Sequence, residues 1–171
     1  MMTISEAIKT ALEFENKVYN NYQQAQQKAK DPTGQKVFKT LAEEEKGHIV
    51  YLEHKLEEWG KSGHVTPGVL KTAVPDKEKI KQGVKKLAER MKTNQDCSAE
   101  LDLLRVALKL EEETSSFYNQ MVRELSAEGQ TFFARFVEIE EGHLAIVQAE
   151  IDALTGMGFW FDMQEFQLES E

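Results

Sequence analysis

The sequence predicts an all-α protein, a four-helix bundle made of two related helical hairpins joined by a long crossover. Three observations predict it. The chain has only three prolines in 171 residues, and long stretches of Glu, Lys, Gln, Leu and Ala, all good helix formers. Apolar residues recur at helical spacing over four segments. The segments also match in pairs. Ala11-Leu12-x-x-Glu15 and Tyr22 reappear 96 positions on as Ala107-Leu108-x-x-Glu111 and Tyr118. Gly34, Phe38 and Leu56 reappear 95 positions on as Gly129, Phe133 and Ile151. A register that slips by a single residue over two hairpins marks an internal repeat.

Taken in order, Thr3 or Ser5 is the expected cap of a first helix reaching to about Ala29. Its inward positions are Ile4, Ala7, Ile8, Ala11, Leu12, Val18, Tyr19 and Tyr22. Asp31-Pro32-Thr33-Gly34 breaks it, since proline cannot continue a helix and glycine favours a turn. A second helix is expected from about Thr33 to Trp59, with Val37, Phe38, Leu41, Ile49, Leu52 and Leu56 facing inward. So short a connection implies that it returns antiparallel to the first. The glycines and proline from Gly60 to Gly68 make a clear break. Residues 60–97 read as the crossover, with a shorter helix between Pro75 and about Thr93 that carries Ile80, Val84, Leu87 and Met91 on one stripe. Ser98 opens a third long helix reaching to about Ala127. Glu128-Gly129 reads as a tight turn, and a fourth helix runs from about Gln130 to Leu154. Gly156-Met157-Gly158 ends it. The expected organisation is a helical domain over residues 1–155 and an aromatic tail over 156–171.

Composition narrows the class. At 171 residues, 40% hydrophobic and 30% charged, the chain has the makings of one globular domain with its own core. No stretch approaches the roughly 18 apolar residues that a membrane span needs. The N-terminal residues show no basic, apolar pattern of a signal peptide, so a cytoplasmic location is expected. A net charge of −9 argues against nucleic acid or an anionic membrane as partner. The basic stretch from Lys77 to Lys92 is interrupted by Glu78 and Glu89 and reads as a solvated helix face. The single cysteine, Cys97, excludes an intramolecular disulfide and most cysteine-based metal sites.

The chemistry lies in a repeated motif. Glu43-Glu44-Glu45-Lys46-Gly47-His48 and Glu138-Ile139-Glu140-Glu141-Gly142-His143 share the pattern Glu-x-Glu-x-Gly-His. In each, a glutamate three residues before a histidine puts a carboxylate and an imidazole on one helix face. Glu15 and Glu111 stand among core positions of the first and third helices, where an unpaired carboxylate costs several kcal/mol. Four inward glutamates balance two divalent cations in charge. The set Glu15, Glu45, His48, Glu111, Glu140 and His143 therefore reads as a candidate dinuclear carboxylate site. Its oxygen and nitrogen donors suit iron, with manganese as the alternative. Gly47 and Gly142, each costing about 1 kcal/mol in a helix interior, suggest a close helix approach or room beside the metals.

On Glu15…Tyr22, Glu45-x-x-His48, Glu111…Tyr118 and Glu140-x-x-His143, residues 3–155 resemble the ferritin-like diiron carboxylate superfamily, in its rubrerythrin-like branch. The resemblance implies two irons, with Glu45 and Glu140 bridging, Glu15 and Glu111 terminal, and His48 and His143 each on one metal. It implies that Tyr22 and Tyr118 hydrogen-bond ligand carboxylates from a neighbouring helix. Dioxygen or hydrogen peroxide is the implied oxidant. Two departures stand out. Rubrerythrins place a further glutamate one turn after the third-helix ligand, where this chain has Thr114. They also carry a rubredoxin-like domain with paired cysteines, which Cys97 alone cannot supply, so an external electron donor is expected.

A diiron oxidoreductase that removes peroxide or oxygen is the first reading. An iron-handling protein, oxidising or binding iron without turnover, is the second. A structural relative that binds a partner through its tail is the third. His54 and His64 lack the motif and read as surface residues. Cys97 reads as structural or exposed. Phe14, Phe38, Phe117, Phe132, Phe133 and Phe136 read as core. The tail, Phe159-Trp160-Phe161-Asp162-Met163-Gln164-Glu165-Phe166, is too aromatic to lie loose in water. It either folds over its own helices or packs on a second subunit, and a homodimer is the expected assembly.

Overall fold

A computed structural model describes residues 1–87 and 96–163. Among the described residues there are five helices and no strand: α1 (Ile4–Lys28), α2 (Pro32–Ser62), α3 (Lys77–Leu87), α4 (Ser98–Glu124) and α5 (Ala127–Gly156). α1 packs on α2 and α4, α4 on α5, and the short α3 on α5. No helix is long and apolar enough to cross a membrane, among the described residues.

Local chemistry sets the helix ends. The Thr3 hydroxyl accepts from the Glu6 N–H at 3.2 Å, and the Glu6 carboxylate accepts from the Thr3 N–H at 2.8 Å. This reciprocal pair satisfies two donors that the first turn leaves open. Asp31 caps α2 by accepting from the Thr33 N–H at 2.8 Å, with Pro32 in the first turn, where no N–H is missed. α2 continues through Gly60 to Ser62 and stops at Gly63, whose φ of 69° is left-handed.

The second hairpin turns earlier than expected. Leu125 and Ser126 form the break, and Glu128 and Gly129 already belong to the first turn of α5. The glycine is there for closeness, since a Cβ at 129 would come within 2.8 Å of Leu125. Its repeat mate Gly34 is likewise helical, in the first turn of α2. A Cβ there would meet the Trp160 indole at 2.6 Å.

The segment between α2 and α4 is pinned along the helices. Val65, Leu70 and Val74 are buried. Arg135 donates to the Leu70 carbonyl at 3.1 and 3.2 Å, and the Val65 N–H donates to Glu128 at 2.6 Å. Asp76 caps α3, and Ile80 is buried beneath it. The expected continuation of this helix to Thr93, with Met91, lies outside the described residues.

The tail folds onto its own chain as far as residue 163. Gly158, at φ 76°, turns the chain back. Trp160, Phe161 and Met163 are buried. The Trp160 ring meets Phe38 edge-on at 5.4 Å, and the Phe161 N–H donates to the buried Glu150 at 2.9 Å. Phe166 lies outside the described residues. Cys97 is buried and sits before α4, its thiol 3.4 Å from the Gly158 carbonyl. Phe38, Phe117, Phe132, Phe133 and Phe136 are core, with Phe14 stacked partly exposed on Phe117, and His54 and His64 are exposed.

The buried apolar residues fall into two clusters. One gathers Val18, Tyr22, Phe38, Leu104, Ala107 and Ile146. The other gathers Ile8, Ala11, Leu52, Tyr118, Phe133 and Phe136. Along α1, Glu15 separates Ala11 in one cluster from Val18 in the other, and along α5, Glu140 and His143 separate Ile139 from Ile146 in the same way. A polar layer thus crosses the middle of the core.

Candidate metal centre

Helical spacing delivers the polar layer. Glu15, Glu45, His48, Glu111, Glu140 and His143 all turn inward, and none is more than 1% exposed. Six ionisable side chains without water require either one another or a cation.

The six fall into two overlapping groups. Glu15, Glu45, His48 and Glu140 form one, and Glu45, Glu111, Glu140 and His143 the other, with one donor atom from each residue lying within 4.8 Å of the rest. Each half has a private glutamate and a private histidine, and both share Glu45 and Glu140. His48 Nδ1 lies 3.2 Å from Glu15, 3.2 Å from Glu45 and 3.6 Å from Glu140. His143 Nδ1 lies 2.8 Å from Glu45, 3.6 Å from Glu111 and 3.9 Å from Glu140. The two imidazoles are nearly parallel, with centroids 5.5 Å apart and planes at 9°.

The tyrosines act across the repeat. Tyr22 of α1 donates to Glu111 of α4, and Tyr118 of α4 donates to Glu15 of α1. Each phenol fixes Oε1 of the private glutamate; Glu15 Oε2 turns to His48, and Glu111 Oε2 is left without a hydrogen-bond partner among the described residues. Burial and the neighbouring carboxylates, Glu111 first for Tyr22 and Glu15 first for Tyr118, hold both phenols well above their ordinary pKa. They remain hydrogen-bond donors at any physiological pH.

Without a cation, protons do the balancing. Burial, joined by the charge of Glu15, pushes Glu45 up to about 8. Burial and the charge of Glu111 raise Glu140 well above the ordinary carboxylate range. Burial opposes the charged form of His48, but Glu15 and Glu45 outweigh it and hold the imidazole at about 10. His143 is raised in the same way by Glu45 and Glu140 against burial. Burial also acts against ionised Glu15, yet His48 and Tyr118 hold it at about 2.

The residues fit a metal on a more direct ground. Both oxygens of Glu45, both of Glu140, Glu111 Oε2 and His143 Nδ1 are buried without a well-aligned hydrogen bond among the described residues, the histidine contacts to Glu45 being ion pairs and not aligned hydrogen bonds. These atoms include both oxygens of the two shared carboxylates. A buried acceptor left unpaired costs about 1–3 kcal/mol, more when charged. A cation bound among them would satisfy them together.

Glu44 joins the cluster, beside His48 and His143, and the sequence reading passed over it. Its carboxylate accepts from His143 Nε2 at 3.4 Å, from the Thr72 hydroxyl at 2.5 Å and from the Ala73 N–H at 2.7 Å. Burial works against its charge, but the His143, Ala73 and Thr72 hydrogen bonds hold its pKa at about 2. A signal was present. Its repeat mate is Ile139, a buried residue, which marks the position as inward-facing.

The motif glycines have another explanation than the one expected. Gly47 is exposed, with open space where a Cβ would stand. Gly142 is buried, and a Cβ there would meet the Pro75 carbonyl at 3.2 Å. The close approach is by the segment before α3, at Gly142 alone, and neither glycine makes room beside the histidines. Thr114 donates to the Leu110 carbonyl at 2.9 Å, while Glu112 and Glu113 are exposed and point away from the site.

No family model, no curated protein and no solved structure matches this chain. Its functional assignment therefore rests on the geometry of these buried Glu and His groups, which could hold a metal ion.

Proposed function

We propose that this chain is a ferritin-like four-helix bundle of the rubrerythrin-like kind, binding two iron ions and reducing hydrogen peroxide or dioxygen. The observation that carries this reading is the pair of shared glutamates. Glu45 and Glu140 each belong to both four-residue groups, and none of their four carboxylate oxygens makes a well-aligned hydrogen bond among the described residues. Shared carboxylates flanked by one glutamate and one histidine per side are the donor set of a dinuclear carboxylate centre. Oxygen and nitrogen donors without sulfur favour iron or manganese.

Glu15, Glu45, His48 and Glu140 would hold one ion, and Glu45, Glu111, Glu140 and His143 the other. Iron held there would supply redox chemistry toward the oxidant, with an external donor as the source of electrons. The protein's own part is positional. Tyr22 and Tyr118 orient Glu111 and Glu15, and Glu44 orients His143. The Phe133 and Phe136 side chains, with Ile146 and Ala107 on the other side, keep water from the polar layer. The protonated histidines and raised carboxylates give up protons when metal binds, so uptake releases acid.

The test is turnover. Protein loaded anaerobically with ferrous iron and mixed with hydrogen peroxide and a chemical reductant is expected to consume many equivalents of peroxide. Oxidation of the bound iron once, with no further consumption, would replace catalysis by iron handling.

A further inference from the structure

The repeat makes the two halves of the site equal in every private residue but one. Glu15 answers to Glu111, His48 to His143 and Tyr22 to Tyr118. Glu44, however, answers to Ile139. His143 Nε2 consequently has a carboxylate at 3.4 Å, whereas His48 Nε2 is buried with no partner among the described residues. The Glu44 carboxylate stands within 4.8 Å of a nitrogen of His48 as well, but its hydrogen bond goes to His143. On its far side Glu44 is held by Thr72 and Ala73 of the crossover. Two residues further, the Pro75 carbonyl presses on Gly142, next to His143. On its outer nitrogen one imidazole is thus anchored through a carboxylate to a second segment of backbone, whereas the outer side of the other has no such partner and packs against Phe136, at 5.7 Å between ring centroids.

A carboxylate on the outer nitrogen of a ligand imidazole fixes its orientation and makes the inner nitrogen a stronger donor. Losing such a partner typically lowers metal affinity by about 10–100-fold. From this asymmetry we propose that the two metal positions are unequal, the His143 position filling first and holding its ion more tightly because Glu44 anchors it. The inference rests on the dinuclear reading above. Glu44 is a positioning residue in it and touches no metal.

The test is an anaerobic titration with Mn2+, following free and bound ion by electron paramagnetic resonance. The full-length protein is expected to bind in two steps, separated by about 10-fold or more in affinity. Glu111→Ala should remove the tight step and Glu15→Ala the weak one. Glu44→Gln should weaken the tight step by about 10–100-fold and leave the weak step in place. Thr72→Ala, which keeps the carboxylate beside His143, should preserve the tight step. Two equal steps in the unaltered protein would overturn the inference, as would Glu44→Gln weakening both steps alike or Thr72→Ala abolishing the tight one. Failure of the unaltered protein to bind Mn2+ or Fe2+ at all would remove the dinuclear reading beneath it, a result distinct from equal binding.

Discussion

Single atoms decide what two similar glycines do. At Gly47 nothing stands within 4 Å of an added Cβ, and the residue lies in the interior of an exposed helical stretch. Gly47→Ala should therefore stabilise the protein by about 0.5–1 kcal/mol, read as a rise in the denaturant midpoint at unchanged slope. Gly142 sits at the matching place, but a Cβ would meet backbone oxygen at 3.2 Å. Backbone cannot swing aside as a side chain can, so Gly142→Ala should be destabilising, by about 1–3 kcal/mol. The same sign for both substitutions would show that the segment around Pro75 does not press on α5. The tyrosines offer a matched pair at this scale. Tyr118→Phe removes a buried hydrogen bond to a charged carboxylate, worth about 1.5–3 kcal/mol. Metal affinity should drop with it by about 10-fold or more, and Tyr22→Phe should behave alike because the two are repeat mates.

Between elements, the tail and the first turn of α2 are matched parts. Gly34 leaves the gap that the Trp160 indole fills, and Phe38 one turn later meets the ring edge-on. Gly34→Ala should cost about 1–3 kcal/mol by overpacking. Trp160→Ala should cost about 3–5 kcal/mol. The double substitution should cost clearly less than the two together, because the added methyl then enters vacated space. Strict additivity in chemical denaturation would mean that the tail does not pack there in solution. The sequence left this open, since an aromatic run is satisfied equally well by its own helices or by another subunit. Only the three-dimensional fit of Trp160 over a glycine decides for the former over residues 159–163. The hairpin turns were displaced for a related reason. Gly129 was read as a turn residue from its flexibility, whereas it is a helical residue selected for closeness to Leu125 and Ile4.

At the scale of the whole molecule, the polar layer makes stability depend on pH. His48 has an ordinary pKa of 6.5 and is held at about 10, and Glu45 rises from 4.5 to about 8. Both folded values lie above the unfolded ones. Their contribution is therefore complete below the ordinary values and is lost as pH rises through about 8 and about 10. Glu15 and Glu44 are opposite, lowered from 4.5 to about 2, so their contribution is lost as pH falls through that value. The metal-free protein should melt highest near about pH 4–5 and lose stability steadily toward pH 9. The metal-loaded protein should gain on it over the same range, because protons no longer compete. A metal-free melting temperature that rises toward pH 9 would contradict the charge arrangement described here.

The inward glutamates and histidines were legible in the sequence because their positions depend on helical spacing alone, stated twice by the repeat. Glu44 was not, because its role depends on where Thr72, Ala73 and His143 lie in space, and nothing in its own helix announces that. The central claim is that Glu45 and Glu140 each serve two metal ions. It is tested most directly by elemental analysis of protein prepared in iron-replete medium, beside the Glu45→Ala/Glu140→Ala double variant. The account predicts about two irons per chain, lost together in a variant that still shows the helical far-ultraviolet spectrum. Absence of metal from the unaltered protein, or metal that survives loss of both glutamates, would contradict it.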